Sequence, residues 1–320
     1  MKSYKPMANR IAIVGLGNVG ASFAYALLFR GLASEIVLID ANKAKAEGEA
    51  MDLNHAVPFT HSTRIWAGDY SDCAGAAVTV ITAGAAQKPG ETRLDLVKKN
   101  ARIFASIVPE VVKHNPDGIL LIATNPVDVL TYVAWKLSGL PAERVIGSGT
   151  ILDTARFRYL LSQHFDVDAR SVHGFIVGEH GDSEVAVWSL TNIAGMRLPE
   201  YTKHNDAKCS PEEMEQIFIE TRDAAYKIIE RKGATFYAIA AGLMRITEAI
   251  LRDQSTVLSV SSLVKGLYGI EDVYLSLPTV LHRGGVERVI HLELSADEEA
   301  KLKASARVLH ETIAGLDGLL

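Results

Sequence analysis

The sequence predicts an α/β protein that combines a doubly wound parallel sheet with an α+β domain carrying a mixed or antiparallel sheet. In the first half of the chain, short apolar runs alternate with longer amphipathic segments, and strands separated by helices form parallel sheets with right-handed crossovers. In the second half, the apolar runs are typical of a more antiparallel, mixed region, and the helical segments are longer. We therefore predict a first domain over residues 1–148 and a second over residues 149–320.

The predicted strands of the first half are nearly continuous apolar runs, as expected for a sheet covered on both faces. These strands are Ile11–Val14, Glu35–Ile39, Ala77–Ile81, Gly118–Ala123 and Val145–Ile146. The amphipathic segments that alternate with them predict the helices Val19–Arg30, Lys43–His55, Asp95–His114, Val127–Leu137 and Ile151–His164.

The second half contains four apolar runs that predict strands and three long segments that predict helices. The strands are Val172–Val177, Val185–Leu190, Val257–Leu263 and Val273–Val280. The helices are Pro211–Lys232, Ala234–Arg252 and Asp297–Ala314. Ser295, followed closely by two acidic residues, is typical of a helix N-terminus with a serine cap.

Composition narrows the function classes. The chain has 320 residues, is 48% hydrophobic and carries a formal net charge of -5, so it can bury a large core and has no bias toward nucleic acid. Its longest apolar stretches fall short of the ~20 residues that a membrane helix needs. Its two cysteines, Cys73 and Cys209, form neither a disulfide framework nor a metal-ligand cluster. We expect a cytoplasmic protein with no nucleic-acid, membrane or metal partner.

A glycine motif, Gly15–Gly20 with the sequence GLGNVG, follows the first predicted strand and begins the first helix. Gly15 permits a tight turn, Gly17 lets the backbone approach a pyrophosphate, and Gly20 allows close packing of helix and strand. The second strand is followed by Asp40, whose carboxylate can accept hydrogen bonds from an adenosine ribose and repel a 2′-phosphate. This context predicts a Rossmann-type domain that binds NAD rather than NADP; the alternative is a glycine-rich turn beside a solvated aspartate.

The segment Thr82–Arg93 follows a predicted strand and is rich in small residues and glycine, so it can lie close to a ligand and can move. It carries one neutral amide, Gln87, and one fixed cation, Arg93. If the segment closes over a substrate, these two side chains decide which anions fit and how a carbonyl is polarised. The alternative is an ordinary surface loop.

Four residues could supply the chemistry of hydride transfer to a ketone. His180, between two glycines, titrates near neutral pH and can donate a proton. Asp153, if it pairs with the other ring nitrogen, would fix the tautomer, and Arg156 offers a planar fork for a carboxylate. Arg93 could polarise the carbonyl once closure removes water. Taken singly, the histidine could be structural, and the Asp–Arg pair could be an ordinary ion pair on a helix.

Five motifs occur together in one order: GLGNVG, AGAAQKPGETRLDL, ATNPVD, GSGTILDTARFR and GEHGDSE. From about Arg10 to the C-terminal helix, the chain resembles the bacterial L-lactate dehydrogenases of the lactate/malate dehydrogenase family. The resemblance implies reversible, NADH-dependent reduction of pyruvate to L-lactate in glycolysis and fermentation, by a homotetramer. It also makes the first domain the NAD-binding domain and the second the substrate domain.

The resemblance assigns roles residue by residue. His180 is similar to the proton donor and acceptor, Asp153 to its partner, and Arg156 to the clamp on the substrate carboxylate. Arg93 is similar to the loop arginine that touches substrate. Further substrate positions are Gln87, Asn125 and Thr235. Positions similar to NAD contacts are Val19, Asp40, Lys45, Tyr70, Gly84, Ala85, Ser106, Asn125, Ser148 and Ile239, in addition to the three motif glycines.

Gln87 bears on the choice of substrate. Malate dehydrogenases of this family carry Arg here, which pairs the second carboxylate of oxaloacetate. A neutral Gln would leave that charge unpaired in a dry pocket, whereas the methyl group of pyruvate fits. Branched 2-oxo acids stay open as alternatives. Ala86 departs from the Asn expected at its position.

Arg158 and His173 are similar to residues that bind fructose 1,6-bisphosphate across a subunit interface in allosteric bacterial members of the family. A cluster of cations there would repel itself, and a bisphosphate would relieve the repulsion. The resemblance thus implies an effector site, and the alternative is a solvated arginine beside an incidental histidine.

Overall fold

The computed structural model describes residues 9–85, 90, 92–205 and 207–316, with the backbone but not the side chain of residue 93. Six strands of the first half form its parallel sheet: β1 Arg10–Val14, β2 Glu35–Ile39, β3 Arg64–Ala67, β4 Ala76–Ile81, β5 Ile119–Ile122 and β6 Val145–Gly147. Five two-residue strands follow: β7 Val172–His173, β8 Ile176–Val177, β9 Val185–Ala186, β10 Asn192–Ile193 and β11 Met196–Arg197. Three longer strands complete the set: β12 Thr256–Val264, β13 Val273–His282 and β14 Gly285–Val289.

Nine α-helices lie within the described residues. Their bounds are α1 Asn18–Arg30, α2 Lys43–Ala56, α3 Arg93–His114, α4 Val127–Ser138, α5 Ile151–Phe165, α6 Leu198–His204, α7 Pro211–Lys232, α8 Tyr237–Leu251 and α9 Ala296–Ala314. The predicted serine cap of the last helix is confirmed, since the Ser295 side chain accepts from the N–H of Glu298 and the Glu298 carboxylate accepts from the N–H of Ser295. No helix in this part of the chain is long and apolar enough to cross a membrane.

The large sheet has the order β14-β13-β12-β6-β5-β4-β1-β2-β3. The strands β1 to β6 are parallel, and the central strand β1 pairs with β2 on one side and β4 on the other. The antiparallel strands of the second half extend this same sheet, because β12 pairs with β6 where Ser261 lies opposite Gly147. Two small antiparallel sheets, β11-β10-β7 and β8-β9, are separate from it, and the second is linked to β13 by a single bridge between Gly178 and Ser276. The predicted fold class is confirmed, while the boundary at residues 148 and 149 stays a prediction.

Both faces of the sheet are buried, as the continuous apolar strands predicted. Along β1, Ile11 and Ile13 join a cluster that includes Phe23 of α1, and Ala12 and Val14 join a second cluster on the other face with Phe104 of α3. These four of the five β1 residues are at most 2% exposed. The carboxyl ends of the parallel strands therefore emerge from a rigid, two-sided core, and the loops that follow them carry the candidate functional groups.

Three predicted elements of the second half need correction. The run Val185–Leu190 is a strand only over β9, because Trp188–Leu190 turns into a 3-10 helix. Val172–Val177 is two strands in two different sheets rather than one. The helix predicted over Ala234–Arg252 begins at Tyr237, because Gly233 ends α7 at a φ of 83° and Phe236 has a non-helical φ of -153°.

Candidate active site

The junction between β1 and α1 contains two glycines at positions where a side chain would clash. Gly15 has a φ of 97°, and a Cβ placed there would lie 2.4 Å from the backbone nitrogen of Ala83. A Cβ on Gly20 would lie 2.0 Å from the carbonyl oxygen of Gly15, so the helix can approach the turn only without a side chain. Gly17 is the N-cap of α1 and a Cβ there would meet open space, so the helix N-terminus faces the cleft without a covering side chain. These features fit an anionic pyrophosphate.

Asp40 lies at the end of β2, and its carboxylate is fixed by two backbone donors. The N–H of Leu16 donates to Oδ2 over 2.7 Å, and the N–H of Asn42 donates to Oδ1 over 2.8 Å. Each carboxylate oxygen can accept a further hydrogen bond, so the group remains able to bind ribose hydroxyls. Its negative charge at this point disfavours a 2′-phosphate.

A cleft of about 780 Å³ lies along the carboxyl ends of β1, β2 and β4. The predicted cofactor contacts that line it are Gly15, Gly17, Asp40, Lys45, Tyr70, Gly84, Ala85 and Ser106. The sequence analysis missed other lining residues: Val14, Ile39, Ala41, Lys43, Gly68, Asp69, Thr82, Ala83, Ile103 and Ile107. The cleft therefore offers a glycine turn, a helix N-terminus, an acid and an apolar wall, which together fit NAD.

The other predicted cofactor residues lie outside the lining of this cleft. Val19 and Ile239 are partly buried and pack against the core cluster that includes Phe23. Ser148 is 3% exposed, and its N–H donates to the carbonyl of Ile122. Asn125 is exposed in the loop after β5, three residues beyond Ile122, so it can meet a ligand that extends from the cleft toward the second half of the chain.

Asn100 is a buried polar residue that the sequence analysis missed. Its Oδ1 accepts from the N–H of Ala85 over 2.8 Å, and its Nδ2 donates to the carbonyl of Asn125 over 3.1 Å. The side chain therefore ties the start of the glycine-rich segment to the loop after β5. An amide on the buried face of the predicted helix Asp95–His114 was the signal that could have revealed it.

The structure brings together three of the four residues predicted to supply the chemistry. His180 Nδ1 lies 2.5 Å from Asp153 Oδ2, and Arg156 Nη1 donates to Asp153 Oδ1 over 2.9 Å. Asp153 and Arg156 stand in the first turns of α5 at a spacing of three residues, which places them on one side of the helix. The Asp153 side chain is 2% exposed, and those of Arg156 and His180 are 12% and 23% exposed. One buried carboxylate thus orients both a histidine and an arginine.

The charges in this group favour a protonated histidine. Burial alone would lower the pKa of His180, but the charge of Asp153 and the hydrogen bond to it raise that pKa to about 9. Burial would raise the pKa of Asp153, yet His180 and Arg156 hold it below its ordinary value. Because the ionised carboxylate only accepts, Nδ1 of His180 carries a proton, and Nε2 is the nitrogen left to face a substrate.

Asp128 is a further acid that the sequence analysis missed. Its Oδ2 accepts from the backbone N–H of His180 over 2.7 Å, and the residue is 2% exposed. Burial raises the pKa of Asp128 to about 6, even though the bond from His180 favours the ionised form. It fixes the backbone of His180 from α4, the helix that begins just after the ATNPVD motif's asparagine. The motif contained this residue, but its spacing alone gave no partner.

Glu184 lies behind the same group. It is 6% exposed, and one of its carboxylate oxygens lies within 4.8 Å of donor atoms of both Asp153 and His180. Burial and the nearby charge of Asp153 raise the pKa of Glu184, so the group is uncharged at neutral pH. Three such donors could in principle face a cation, but Asp153 already binds His180 and Arg156. The arrangement favours proton chemistry.

The structure describes the remaining predicted substrate residues to different extents. Gln87 and its neighbour Ala86 lie outside the described residues. The backbone of Arg93 begins α3, where Thr92 forms a capping box with Asp95, but its side chain is not described. Thr235 is half-buried in the segment between α7 and α8.

The two predicted effector residues lie near each other. Arg158 donates from Nε to the carbonyl of Gly174 over 3.0 Å, and its guanidinium lies 5.3 Å from the ring centre of Phe175. Burial lowers the pKa of Arg158. His173, the residue before Gly174, is exposed in β7. Arg158 also lines a cavity of about 470 Å³ together with Arg170.

The dinucleotide cleft, together with the buried group of His180, Asp153 and Arg156, indicates an oxidoreductase that uses NAD. Comparison with protein families agrees. Residues 9–147 match the NAD binding domain of lactate/malate dehydrogenase, and residues 150–316 match the alpha/beta C-terminal domain of lactate/malate dehydrogenase. The chain therefore belongs to the lactate/malate dehydrogenase family, and NAD is its cofactor.

Individual relatives are similar over nearly their whole length. L-lactate dehydrogenase 1 of Clostridium acetobutylicum is 54% identical over 95% of this chain and 97% of its own. L-lactate dehydrogenase 1 of Bacillus cereus is 55% identical over 96% of this chain and 98% of its own. Among solved structures, the minor L-lactate dehydrogenase of Enterococcus mundtii in a ligand-bound form has a TM-score of 0.95 at 44% identity, covering 98% of this chain and 99% of its own.

Proposed function

We propose that this enzyme catalyses the reversible, NADH-dependent reduction of pyruvate to L-lactate. The observation that carries the proposal is the single carboxylate of Asp153, which bonds His180 at 2.5 Å and Arg156 at 2.9 Å. That arrangement supplies a proton donor and a carboxylate-binding cation in one buried group. The relatives named L-lactate dehydrogenase at 54% and 55% identity support the same substrate pair.

The chain's own residues supply binding and proton transfer, while bound NADH supplies the hydride. Arg156 holds the substrate carboxylate, and its existing bond to Asp153 limits the directions in which its guanidinium can turn. His180 donates the Nε2 proton to the oxygen of the carbonyl as that oxygen becomes an alkoxide. The imidazole is then neutral, and Asp153 keeps it in the Nδ1–H tautomer until it is protonated again.

The cations of the buried group support a monocarboxylate substrate. Protonated His180 already faces two carboxylates, those of Asp153 and Asp128, so Arg156 is the cation of this group that can bind a substrate carboxylate. A single substrate carboxylate pairs with it. A second carboxylate would need a further cation in a site that excludes water, and Gln87 provides none.

We propose that Arg93 and Gln87 complete the pocket from the glycine-rich segment. Arg93 would polarise the substrate carbonyl, and Gln87 would lie beside the methyl group of pyruvate. Asn100 supports this by anchoring the start of the segment at Ala85 to the loop that carries Asn125. Asn125 and Thr235 are placed beside the substrate in the same proposal.

The substrate is tested by steady-state kinetics with pyruvate, oxaloacetate and a branched 2-oxo acid. We expect the highest kcat/KM for pyruvate, and faster turnover of either alternative would refute the lactate assignment. Gln87→Arg should raise kcat/KM for oxaloacetate and lower it for pyruvate, because it pairs the second carboxylate. Gln87→Glu, which changes the charge in the opposite sense, should lower activity with oxaloacetate further.

We further propose a cytoplasmic homotetramer that fructose 1,6-bisphosphate activates through Arg158 and His173. Support comes from the position of Arg158, which packs on Phe175 beside exposed His173. Pyruvate saturation measured with and without the bisphosphate tests the proposal, and identical curves over a range of pH and protein concentration would reject it. His173→Gln should weaken activation without changing turnover at saturating pyruvate. Sedimentation equilibrium tests the tetramer.

A further inference from the structure

The loop that carries His180 is held by the C-terminal helix α9 through a buried serine. The N–H of Glu179, the residue just before His180, donates to Ser305 Oγ over 2.8 Å. Ser305 is fully buried and Glu179 is 2% exposed. A buried N–H requires an acceptor, since water cannot replace a lost partner there without cost. Ser305 supplies that acceptor from a helix more than a hundred residues further along the chain.

Three hydrogen bonds form a closed ring with a defined direction. Ser183 Oγ donates to Glu179 Oε2, which uses the only proton of that hydroxyl. Ser183 must therefore accept in its contact with Ser305, whose Oγ lies 2.9 Å away. Ser305 donates to Ser183 and accepts from the N–H of Glu179. The ring thus fixes both the backbone and the carboxylate of Glu179.

The residues on either side of Glu179 are tied to other elements. Gly178 exchanges two backbone hydrogen bonds with Ser276 of β13, at 2.8 Å and 2.9 Å. Gly178 has a φ of 90°, and a Cβ there would lie 2.8 Å from Ser305 Oγ, so α9 can approach only a glycine. The backbone of His180 is bound by Asp128. Three consecutive residues are therefore anchored to β13, α9 and α4.

We propose that Ser305 is a positioning residue for proton transfer, which acts by holding the Glu179 backbone so that His180 Nε2 points at the substrate carbonyl. The inference rests on the proposed function of His180. Ser305 bonds Glu179 and Ser183 rather than Arg156, which binds the substrate carboxylate, or the glycine turn that binds cofactor. Its loss should therefore slow the chemical step more than it weakens either binding step.

The test is Ser305→Ala, assayed with pyruvate and NADH. We expect kcat to fall by about 10- to 100-fold, the size of effect that misplacing a catalytic group produces. The KM for pyruvate and the Kd for NADH should stay within about threefold of wild type. The primary isotope effect from NADH deuterated at the transferred position should increase, because the chemical step becomes slower. An altered fold alone would not produce this combination.

Thr312→Val is the matched control. Thr312 lies on the same helix, but its hydroxyl donates to the carbonyl of Val308 within that helix over 2.8 Å. Removing it should leave kcat and the isotope effect unchanged. Ser183→Ala opens the ring at a half-buried position and should lower kcat less than Ser305→Ala does. The double variant should be no slower than Ser305→Ala, because both changes break one ring.

Wild-type kcat and isotope effect in Ser305→Ala would overturn the inference, as would equal losses in kcat and in binding. If Ser305→Ala does not fold, Ser183→Ala decides, and an unchanged kcat in that variant overturns the inference. A wild-type protein that does not oxidise NADH with pyruvate would overturn the proposed function and this inference with it. If the wild type is active and Ser305→Ala and Ser183→Ala both keep the wild-type kcat, this inference alone is overturned.

Discussion

Replacing Asp153 by Asn should move the pH dependence of pyruvate reduction. Asp153 raises the pKa of His180 from 6.5 to about 9 against the opposing effect of burial. That rise corresponds to roughly 3 kcal/mol in favour of the protonated imidazole, at about 1.4 kcal/mol for each tenfold change in proton affinity. Without the Asp153 charge and its hydrogen bond, burial is opposed mainly by the charge of Asp128, so the pKa of His180 should fall toward its ordinary value.

The sign of the effect follows from which form of His180 reacts. Reduction uses the protonated imidazole, so wild-type kcat/KM for pyruvate should be flat below the pKa of His180 and fall as the pH rises through about 9. In Asp153→Asn the fall should begin near or below pH 7, where only about one quarter of the histidine would be protonated at its ordinary pKa. Lactate oxidation uses the neutral form, so its rise with pH should shift in the same direction.

The loss of orientation adds to the loss of charge. An amide in place of Asp153 can present its NH₂ group to Nδ1 and stabilise the wrong tautomer, an effect of up to about 10⁴ in kcat when a catalytic histidine loses its carboxylate partner. We therefore expect kcat/KM for pyruvate at pH 7 to fall by at least about 100-fold. Asp168→Asn, at an exposed aspartate that bonds exposed Arg170, is the control and should change nothing.

The assay is the initial rate of NADH oxidation at a series of pH values, with NADH binding measured separately by fluorescence. A variant profile that still falls near the wild-type pH would refute the assignment of Asp153 as the group that sets the protonation of His180. Unchanged kcat/KM at pH 7 would refute its role in orientation as well.

Three further substitutions test separate parts of the site. Asp40→Ser removes the acid that disfavours a 2′-phosphate, so kcat/KM should fall by about tenfold with NADH and rise with NADPH; an unchanged cofactor preference would contradict this. Arg156→Lys keeps the charge but loses the planar fork, so KM for pyruvate should rise by about 100-fold while the Kd for NADH stays the same, and kinetics with both substrates would show it. Glu184→Gln replaces a buried, uncharged acid by a neutral amide of the same shape. Its kcat at pH 7 should therefore stay within about twofold of wild type, and its Tm within a few degrees. A large loss of kcat in that variant would show that Glu184 acts as an ion.

The local sequence was sufficient to predict the parts of the site that depend on backbone geometry. The turn at Gly15 and Gly20 is set by contacts within one strand–helix unit and its neighbouring strand, so motif and context predicted it. Asp40 follows from the end of the second strand in the same way. For His180, Asp153 and Arg156, side-chain chemistry suggested the roles, but the family resemblance was needed to assign them. His180 and Asp153 are 27 positions apart, so local sequence does not show that they meet.

The missed residues share a different property. Asp128, Asn100 and Ser305 each bond a backbone group that is distant along the chain, such as the 126 residues between Ser305 and Glu179. A position on the apolar face of a helix can mark such a side chain as buried, as for Asn100, but no periodic pattern shows which distant backbone group it bonds. The short strand β3 was missed for a related reason, because it has four residues and begins with an exposed arginine.

The most direct test of the central claim is turnover of pyruvate by His180→Asn beside the wild type. We predict that the wild type reduces pyruvate with NADH, and that the variant loses kcat by at least about 10³-fold while its Kd for NADH changes by less than about twofold. Asparagine keeps a polar side chain at the site but cannot deliver a proton near neutral pH. Near-normal turnover in the variant, or no turnover of pyruvate by the wild type, would contradict the mechanism.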